Sequence, residues 1–234
     1  MVKYKSGKIL RQSKSNRFVH WASALSIIIL IVTGLGQMPM YKRYNITKLP
    51  GAEWLGDYSI TLVLHYVAAI ILVFVVFYHI FIHVLLKQFD IMPKKGDMKE
   101  SWQIIKAMIT KGEEPPSDKY LAEQRLAYVA IGVTVLALVF SGLVKMLKNS
   151  VMIPDVISNI ATGVHNVATV AIILLIVAHL AAFAIKANRK LISGMFSGYV
   201  DEEYVKHRHS IWYKKIKSEK VEEQEEDVNN KVAL

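Results

Sequence analysis

Apolar residues are gathered into four long stretches that polar segments separate. None of the stretches contains Lys, Arg, Asp or Glu, and each approaches or exceeds the ~20 apolar residues that a helix needs to cross a bilayer core of about 30 Å. We therefore predict an all-α membrane protein, a four-helix transmembrane bundle. Its predicted spans are Phe18 to Met38, Ile60 to Leu86, Leu126 to Val144 and Ile160 to Ile185.

Composition agrees with a membrane protein and limits the available chemistry. Hydrophobic residues make up 53% of the 234 residues, and the mean hydropathy is +0.31, which argues against a soluble chain. There is no cysteine. Disulfides, iron–sulfur clusters, thiolate zinc sites and covalently attached c-type haem are therefore excluded on this chain. Any redox cofactor must be held by other side chains.

The positive charge is concentrated on one side of the predicted membrane. Of the 29 Lys and Arg residues, 24 lie before span 1, between spans 2 and 3, or after span 4. By the positive-inside rule, both termini and the segment 87–125 are cytoplasmic. The net charge of +10 then follows from topology, so we expect membrane lipid, and no nucleic acid, among the partners.

The connection between spans 2 and 3 contains a helical pattern of its own. From Met98 to Lys111, the residues Trp102, Ile105, Met108 and Ile109 fall on one face. This pattern predicts a cytoplasmic amphipathic helix lying on the inner leaflet. A mobile polar loop is the alternative.

The end of the chain differs in composition from the rest. From Ser218 onward, Glu and Lys dominate, which predicts a disordered tail or a solvated helix end. We therefore divide the chain into a four-span domain, residues 1–217, and a charged cytoplasmic tail, residues 218–234.

Histidines are the polar residues that stand out within the spans. Six of the eight lie there: His20, His65, His79, His165 and His179, with His83 near the inner end of span 2. Charged side chains cost about 2.5 kcal/mol or more at the centre of a membrane helix, so ionisable residues there face the bundle interior and usually have a function.

The spacing of these histidines suggests two cofactors at two depths. His165 and His179 are fourteen residues apart, which is about 21 Å along a helix and about 40° around it. Paired neutral imidazoles give a six-coordinate haem iron suited to electron transfer. On the outer side, His65 is level with His165. On the inner side, His179 can pair with either His20 or His79, and the spacing leaves this choice open.

A haem-free membrane anchor or transporter is the alternative of a different class. Its histidines would pack between helices or relay protons. Four histidines at paired depths, with no acidic residue in the spans, favour haem instead. We expect His83 to extend to the inner interface, and His207 and His209 to lie on the surface or to contact a partner rather than to bind a metal.

Motifs of a known family are spread along the chain up to about residue 217. They are Arg17-Phe-Val-His20-Trp21, Thr33-Gly34, Leu64-His65, Lys119-Tyr120-Leu-Ala-Glu-Gln124, Ser141-Gly142, the pair His165 and His179, Gly194-Met-Phe-Ser-Gly198-x-Val200, His207-Arg-His209 and Trp212-Tyr213. With these motifs the chain resembles the cytochrome b (gamma) subunits of membrane-bound formate dehydrogenases. More distantly, it resembles the cytochrome b subunits of nickel–iron hydrogenases.

The resemblance implies two haem b groups and assigns their ligands. His65 and His165 would hold the outer haem iron, and His20 and His179 the inner one, whereas His79 has no counterpart in the family.

The resemblance also implies a menaquinone site beside the inner haem, which involves His179 and Gln124. The family's Asn-Ala-Gly-Gln run reads Leu121-Ala122-Glu123-Gln124 here. The polar asparagine and the glycine are lost, and of the polar side chains only the glutamine is kept. Glu123 is then a candidate proton donor.

The function implied by the resemblance is that of an electron-transfer subunit in the bacterial cytoplasmic (inner) membrane. Such a subunit is not the formate-oxidising catalytic subunit. It receives electrons from an iron–sulfur subunit, and that subunit receives them from a molybdopterin or tungstopterin catalytic subunit. It then passes them across the membrane to menaquinone, with proton uptake on the cytoplasmic side. A hydrogenase or another molybdopterin oxidoreductase is the alternative complex.

Overall fold

The computed structural model describes residues 4–110 and 112–232. Its helices are Lys14–Gly36 (α1), Met40–Arg43 (α2), Tyr58–Leu85 (α3), Asp97–Thr110 (α4), Ala122–Leu147 (α5), Asp155–Ala181 (α6), Lys186–Arg189 (α7), Ile192–Phe196 (α8), Glu202–Arg208 (α9) and Ser210–Val232 (α10). Single turns of 3₁₀ helix lie at Ile46–Lys48, Glu53–Gly56 and Ala182–Ala184.

Four of these helices, α1, α3, α5 and α6, are long and apolar enough to cross a membrane. The predicted fold class is therefore confirmed. Each of these helices begins two to five residues before its apolar stretch, because polar residues take part in the first turn. In α3, for example, the side chain of Asp57 caps the helix by accepting hydrogen bonds from the amides of Ser59 and Ile60, at 2.8 and 3.1 Å.

The chain divides into two compact units, which we describe separately. The helical unit comprises Lys14–Gln88 and Ile131–Ala178. Its core is built from all four long helices, with Ile27, Leu72, Val135, Val139 and Ile172 buried together. Large apolar side chains such as Phe74 and Phe77 are exposed on its outside, as expected of helices that face lipid.

The terminal unit comprises the described residues of Met1–Ser13, Phe89–Ala130 and His179–Leu234. It contains a small antiparallel sheet in the order β1 (Tyr4–Lys5), β2 (Lys8–Leu10) and β3 (Tyr199–Asp201), which the sequence did not predict. Ser6 and Gly7 both have positive φ, as a two-residue hairpin turn requires. The sheet joins the segment before α1 to the segment after α8, since Ile9 pairs with Val200.

The predicted amphipathic helix is present as α4, but one of its faces differs from the prediction. Ile104 is fully buried against Leu121 and Ala122, and Met108 packs on this cluster. Placing Met108 on the membrane-facing side was therefore wrong. It lies one turn from Ile104, on the face that contacts the start of α5. Lys111 lies outside the described residues.

The exposed apolar stripe of α4 consists of Met98, Trp102, Ile105 and Ile109. Their spacing of four, three and four residues places them on one side of the helix. Lys99 and Lys106 are also exposed, on the neighbouring side. This division into packed, apolar and basic sides is typical of a helix at a membrane interface. Its location on the inner leaflet stays a prediction.

The segment from Ser218 continues as helix α10 to Val232. Residues 233 and 234 lie outside the described residues. The division of the chain into a domain ending at residue 217 and a separate tail stays a prediction.

A buried ion pair connects α4 to the first turn of α5. The guanidinium of Arg125 donates two hydrogen bonds to the carboxylate of Asp97, at 2.8 and 2.6 Å, and both side chains are only 3% exposed. The hydrogen bonds from Arg125 hold the pKa of Asp97 below its ordinary value. Breaking such a pair leaves an uncompensated charge in the interior.

Replacing Arg125 with Met should lower the free energy of unfolding by about 3–5 kcal/mol, because the Asp97 carboxylate stays buried without its cation. Chemical denaturation in detergent measures this loss. Lys94→Met is the matched control, since Lys94 pairs with Asp118 at the surface, and it should cost less than about 1 kcal/mol. Equal losses for the two variants would contradict the importance of the buried pair.

Candidate functional site

Two of the predicted ligand histidines come together within the helical unit. His65 of α3 and His165 of α6 have ring centroids 6.5 Å apart, and their ring planes are inclined at 59°. Neither residue is near the other in sequence, so the packing of α3 and α6 creates the pair.

Each imidazole of this pair contacts a hydroxyl group on a neighbouring helix. Thr33 Oγ1 of α1 lies 3.0 Å from Nδ1 of His65, and Ser141 Oγ of α5 lies 3.0 Å from Nδ1 of His165. These contacts involve the same nitrogen of each ring, and Nε2 is the nitrogen that remains for a metal.

Glycine follows each of these hydroxyl residues and lies against the same imidazole. A Cβ added to Gly34 would come 3.3 Å from Cε1 of His65, and one added to Gly142 would come 3.4 Å from Cε1 of His165. The first distance is tighter than ordinary van der Waals contact, and the second lies at its lower limit. The absence of a side chain therefore allows each ring to lie close to the backbone of its neighbouring helix.

The remaining histidines of the spans have aromatic neighbours. His20 lies edge-on to Trp21 at 5.1 Å between centroids, and His179 lies edge-on to Phe183 at 5.5 Å. His20 belongs to the helical unit, and His179 belongs to the terminal unit.

His79 and His83 are one turn apart on α3, with ring centroids separated by 4.1 Å. His83 is only 8% exposed, so the expectation that it extends to the interface is wrong. Its ring packs on His79 instead.

His209 was expected at the surface, but it is fully buried in the terminal unit. Nδ1 donates to the carbonyl of Asp118 at 2.7 Å, which leaves Nε2 to accept from Nη1 of Arg11 at 2.9 Å. His207, by contrast, is exposed as expected and lies 3.7 Å from Glu203. His209 is buried because it lies between α9 and α10 and packs edge-on against Tyr204 and Trp212 of the terminal core.

The same arginine also contacts Gln124, the candidate quinone residue. Arg11 Nη2 donates to Oε1 of Gln124 at 3.1 Å, and the amide of Leu121 donates to that oxygen at 3.3 Å. The side-chain oxygen of Gln124 is thus used within the protein. In the neighbouring Glu123, Oε2 is buried without a hydrogen-bond partner among the described residues.

The donor set in the helical unit fits a haem iron. Among the described residues, no three or more His, Asp or Glu side chains gather as a metal-ion site. A haem iron needs only one or two side-chain ligands, since the porphyrin supplies the other four. Two metal–nitrogen bonds of about 2 Å, with half a ring on each side, separate two imidazole centres by about 6 Å. The observed 6.5 Å matches this requirement.

Four apolar helices that bring two imidazoles together in their interior define a membrane protein of the cytochrome b class. The sequence profile of the prokaryotic cytochrome b561 family matches residues 11–198, and the chain belongs to this family. Haem b is the cofactor that the family implies.

The chain is also similar to the formate dehydrogenase cytochrome b556(fdo) subunits of Escherichia coli K12 and O157:H7. It is 24% identical to each over 220 residues, which cover 89% of this chain and 93% of each relative. The resemblance drawn from the motifs is thereby confirmed.

The buried His209 should make stability depend on pH. Burial, followed by the nearby Arg11 charge, lowers the pKa of His209 from 6.5 to about 3. Between these values the unfolded chain binds a proton that the folded chain does not. The free energy of unfolding should therefore fall by up to about 1.4 kcal/mol per pH unit on acidification below pH 6.5.

His209→Gln removes this titrating group and should lower the slope of the pH dependence, measured by denaturation between pH 6.5 and about pH 5, above the range where most carboxylates titrate. His207→Gln is the control, because that ring is exposed, and it should retain the wild-type slope. An unchanged slope in His209→Gln would show that other groups cause the pH dependence.

Proposed function

We propose that this chain is the membrane cytochrome b subunit of a formate dehydrogenase complex and binds two b haems. In this role it receives electrons from an iron–sulfur subunit, which a molybdopterin or tungstopterin catalytic subunit reduces with formate, and delivers them to menaquinone. Similarity to formate dehydrogenase cytochrome b556(fdo) subunits over 93% of their length supports this choice of complex.

The observation that carries the proposal is the 6.5 Å separation of the His65 and His165 rings. We propose these two residues as the ligands of the outer haem. When bound, haem b supplies a reversible one-electron change at its iron. The residues of the chain supply the two nitrogen ligands, and the apolar core around Leu72 and Ile172 excludes water and keeps the dielectric constant low.

His20 and His179 are the proposed ligands of the inner haem. The family resemblance supports this pair, and it offers no counterpart for His79, the competing ligand. The packing of His79 on His83, at 4.1 Å between centroids, gives that ring a contact within its own helix. We therefore favour His20.

The proposed menaquinone site involves His179 and Gln124. Since the oxygen of Gln124 accepts from Arg11 and from the amide of Leu121, its amide nitrogen is the group that would donate to a quinone carbonyl. Glu123 stands where the family has glycine. Its buried Oε2, without a hydrogen-bond partner among the described residues, supports a role in taking up protons for the quinone.

The charge distribution gives the proposed orientation of the electron path in the membrane. With 24 of the 29 basic residues on one side, both termini lie in the cytoplasm and the helices cross the bacterial inner membrane. The proposed His65 and His165 pair then lies toward the outer surface. Electrons that move inward, with protons taken up from the cytoplasm, would generate a membrane potential without a proton channel.

The purified chain should contain two b haems, measured by a reduced-minus-oxidised spectrum together with a haem assay. His65→Ala and His165→Ala should each remove one haem, and the double variant should lose no more than either single variant, because both residues hold the same iron. His207→Ala is the matched control and should keep both. A colourless wild-type protein, or additive losses in the double variant, would refute the proposal.

The inner ligand can be identified by comparing two variants. His20→Ala should lose one haem and keep the haem held by His65 and His165, whereas His79→Ala should keep both. The same absorbance measurement, combined with redox titration, identifies which haem is missing. Loss of a haem in His79→Ala, with both kept in His20→Ala, would assign the inner ligand to His79.

A further inference from the structure

Thr33 has a hydroxyl group whose single proton can be located from its contacts. Oγ1 lies 2.7 Å from the backbone oxygen of Ile29 and 3.0 Å from Nδ1 of His65. A carbonyl oxygen carries no proton, so the hydroxyl must donate to it. The hydroxyl has no second proton, and it therefore accepts at the other contact. The donor is Nδ1–H of His65.

Ser141 repeats this arrangement on a different helix. Its Oγ lies 2.6 Å from the backbone oxygen of Ala137 and 3.0 Å from Nδ1 of His165. By the same count of protons, Nδ1–H of His165 donates to Ser141. In both rings the proton is therefore on Nδ1, and the neutral ring of this tautomer has its lone pair on Nε2, the form that binds a metal.

We propose that Thr33 and Ser141 are positioning residues for the outer haem. Each fixes the tautomer and ring orientation of one ligand histidine, so that Nε2 of His65 and Nε2 of His165 are both directed to the same iron. This inference rests on the proposed ligand role of the two histidines. Ligand histidines generally donate their other N–H to a protein acceptor, which orients the ring and raises its basicity.

Gly34 and Gly142 complete the arrangement around each ring. We call Thr33-Gly34 and Ser141-Gly142 the two imidazole seats. In each seat the hydroxyl accepts from Nδ1, and the glycine leaves room for Cε1, which a Cβ would approach to 3.3 or 3.4 Å. The seats thus constrain both the hydrogen bond and the position of the ring.

The acceptor in both seats is neutral, and this sets the expected effect on the haem. A hydrogen bond from Nδ1–H to a hydroxyl makes the imidazole a somewhat stronger electron donor, which favours the oxidised iron. Removing either acceptor should therefore raise the midpoint potential of the outer haem. The inner haem has different ligands and should keep its potential.

The test compares Thr33→Val and Ser141→Ala with the conservative variants Thr33→Ser and Ser141→Thr. Thr162→Val is the matched control, because the Thr162 hydroxyl donates to the carbonyl of Ser158 on its own helix, at 2.9 Å. Redox titration gives the potentials of the two haems. The electron paramagnetic resonance of the oxidised haems reports the relative orientation of the imidazole planes, and a haem-binding titration reports affinity.

Thr33→Val and Ser141→Ala should each raise the potential of one and the same haem, shift its resonance, and weaken its binding about 10- to 100-fold. The conservative variants should resemble the wild type. If Thr33→Val does not fold, Ser141→Ala tests the inference with a smaller change.

Potentials and resonances in both hydroxyl-deleted variants equal to those of Thr162→Val would overturn the inference while leaving the haem ligands in place. A wild-type protein without bound haem would instead refute the proposed function. The two failures are therefore distinguishable.

Discussion

An imidazole within hydrocarbon is tolerated only if its polar atoms have partners, and the helical unit is organised around this constraint. An unsatisfied polar group costs several kcal/mol where no water can compensate. His65 and His165 meet the requirement at Nδ1 through Thr33 and Ser141. The other nitrogen of each ring is satisfied when it coordinates a metal. Under the proposed function, coordination of haem iron would also complete the bonding of these partly buried rings.

The spans and the histidines within them could be predicted from the sequence, because long apolar stretches and the few polar residues that interrupt them are local features. The seats could be predicted only in part. Thr33-Gly34 and Ser141-Gly142 stand out as motifs, yet their contacts with imidazoles depend on helix packing. The sheet was not predictable, since its strands have two or three residues and Ile9 pairs with Val200 across almost the whole chain. Met108 was misplaced because its face of α4 depends on contacts with Leu121 and Ala122.

In the terminal unit, the buried polar residues are paired with other groups of the protein. Arg11, Asp97, Arg125, Arg208 and His209 are all buried there, and each has a partner of fitting chemistry. Arg11 was indistinguishable in sequence from the other basic residues before span 1. A sequence pattern could have indicated the burial of His209, because Val205, His209, Trp212 and Ile216 recur at spacings of four, three and four. This apolar spacing is easily overlooked, because many of the residues around it are basic.

The two seats show how one local arrangement can occur twice in one bundle without an obvious repeat in sequence. Thr33 precedes His65 by 32 residues, whereas Ser141 precedes His165 by 24, because the connections between the helices differ in length. A search for a repeat of constant period would therefore miss the relation. What recurs is the local chemistry: a hydroxyl that donates to its own helix and accepts from an imidazole, followed by a residue without a side chain. Since loops tolerate changes in length far better than helix contacts do, this local arrangement is the feature by which equivalent helix pairs can be recognised.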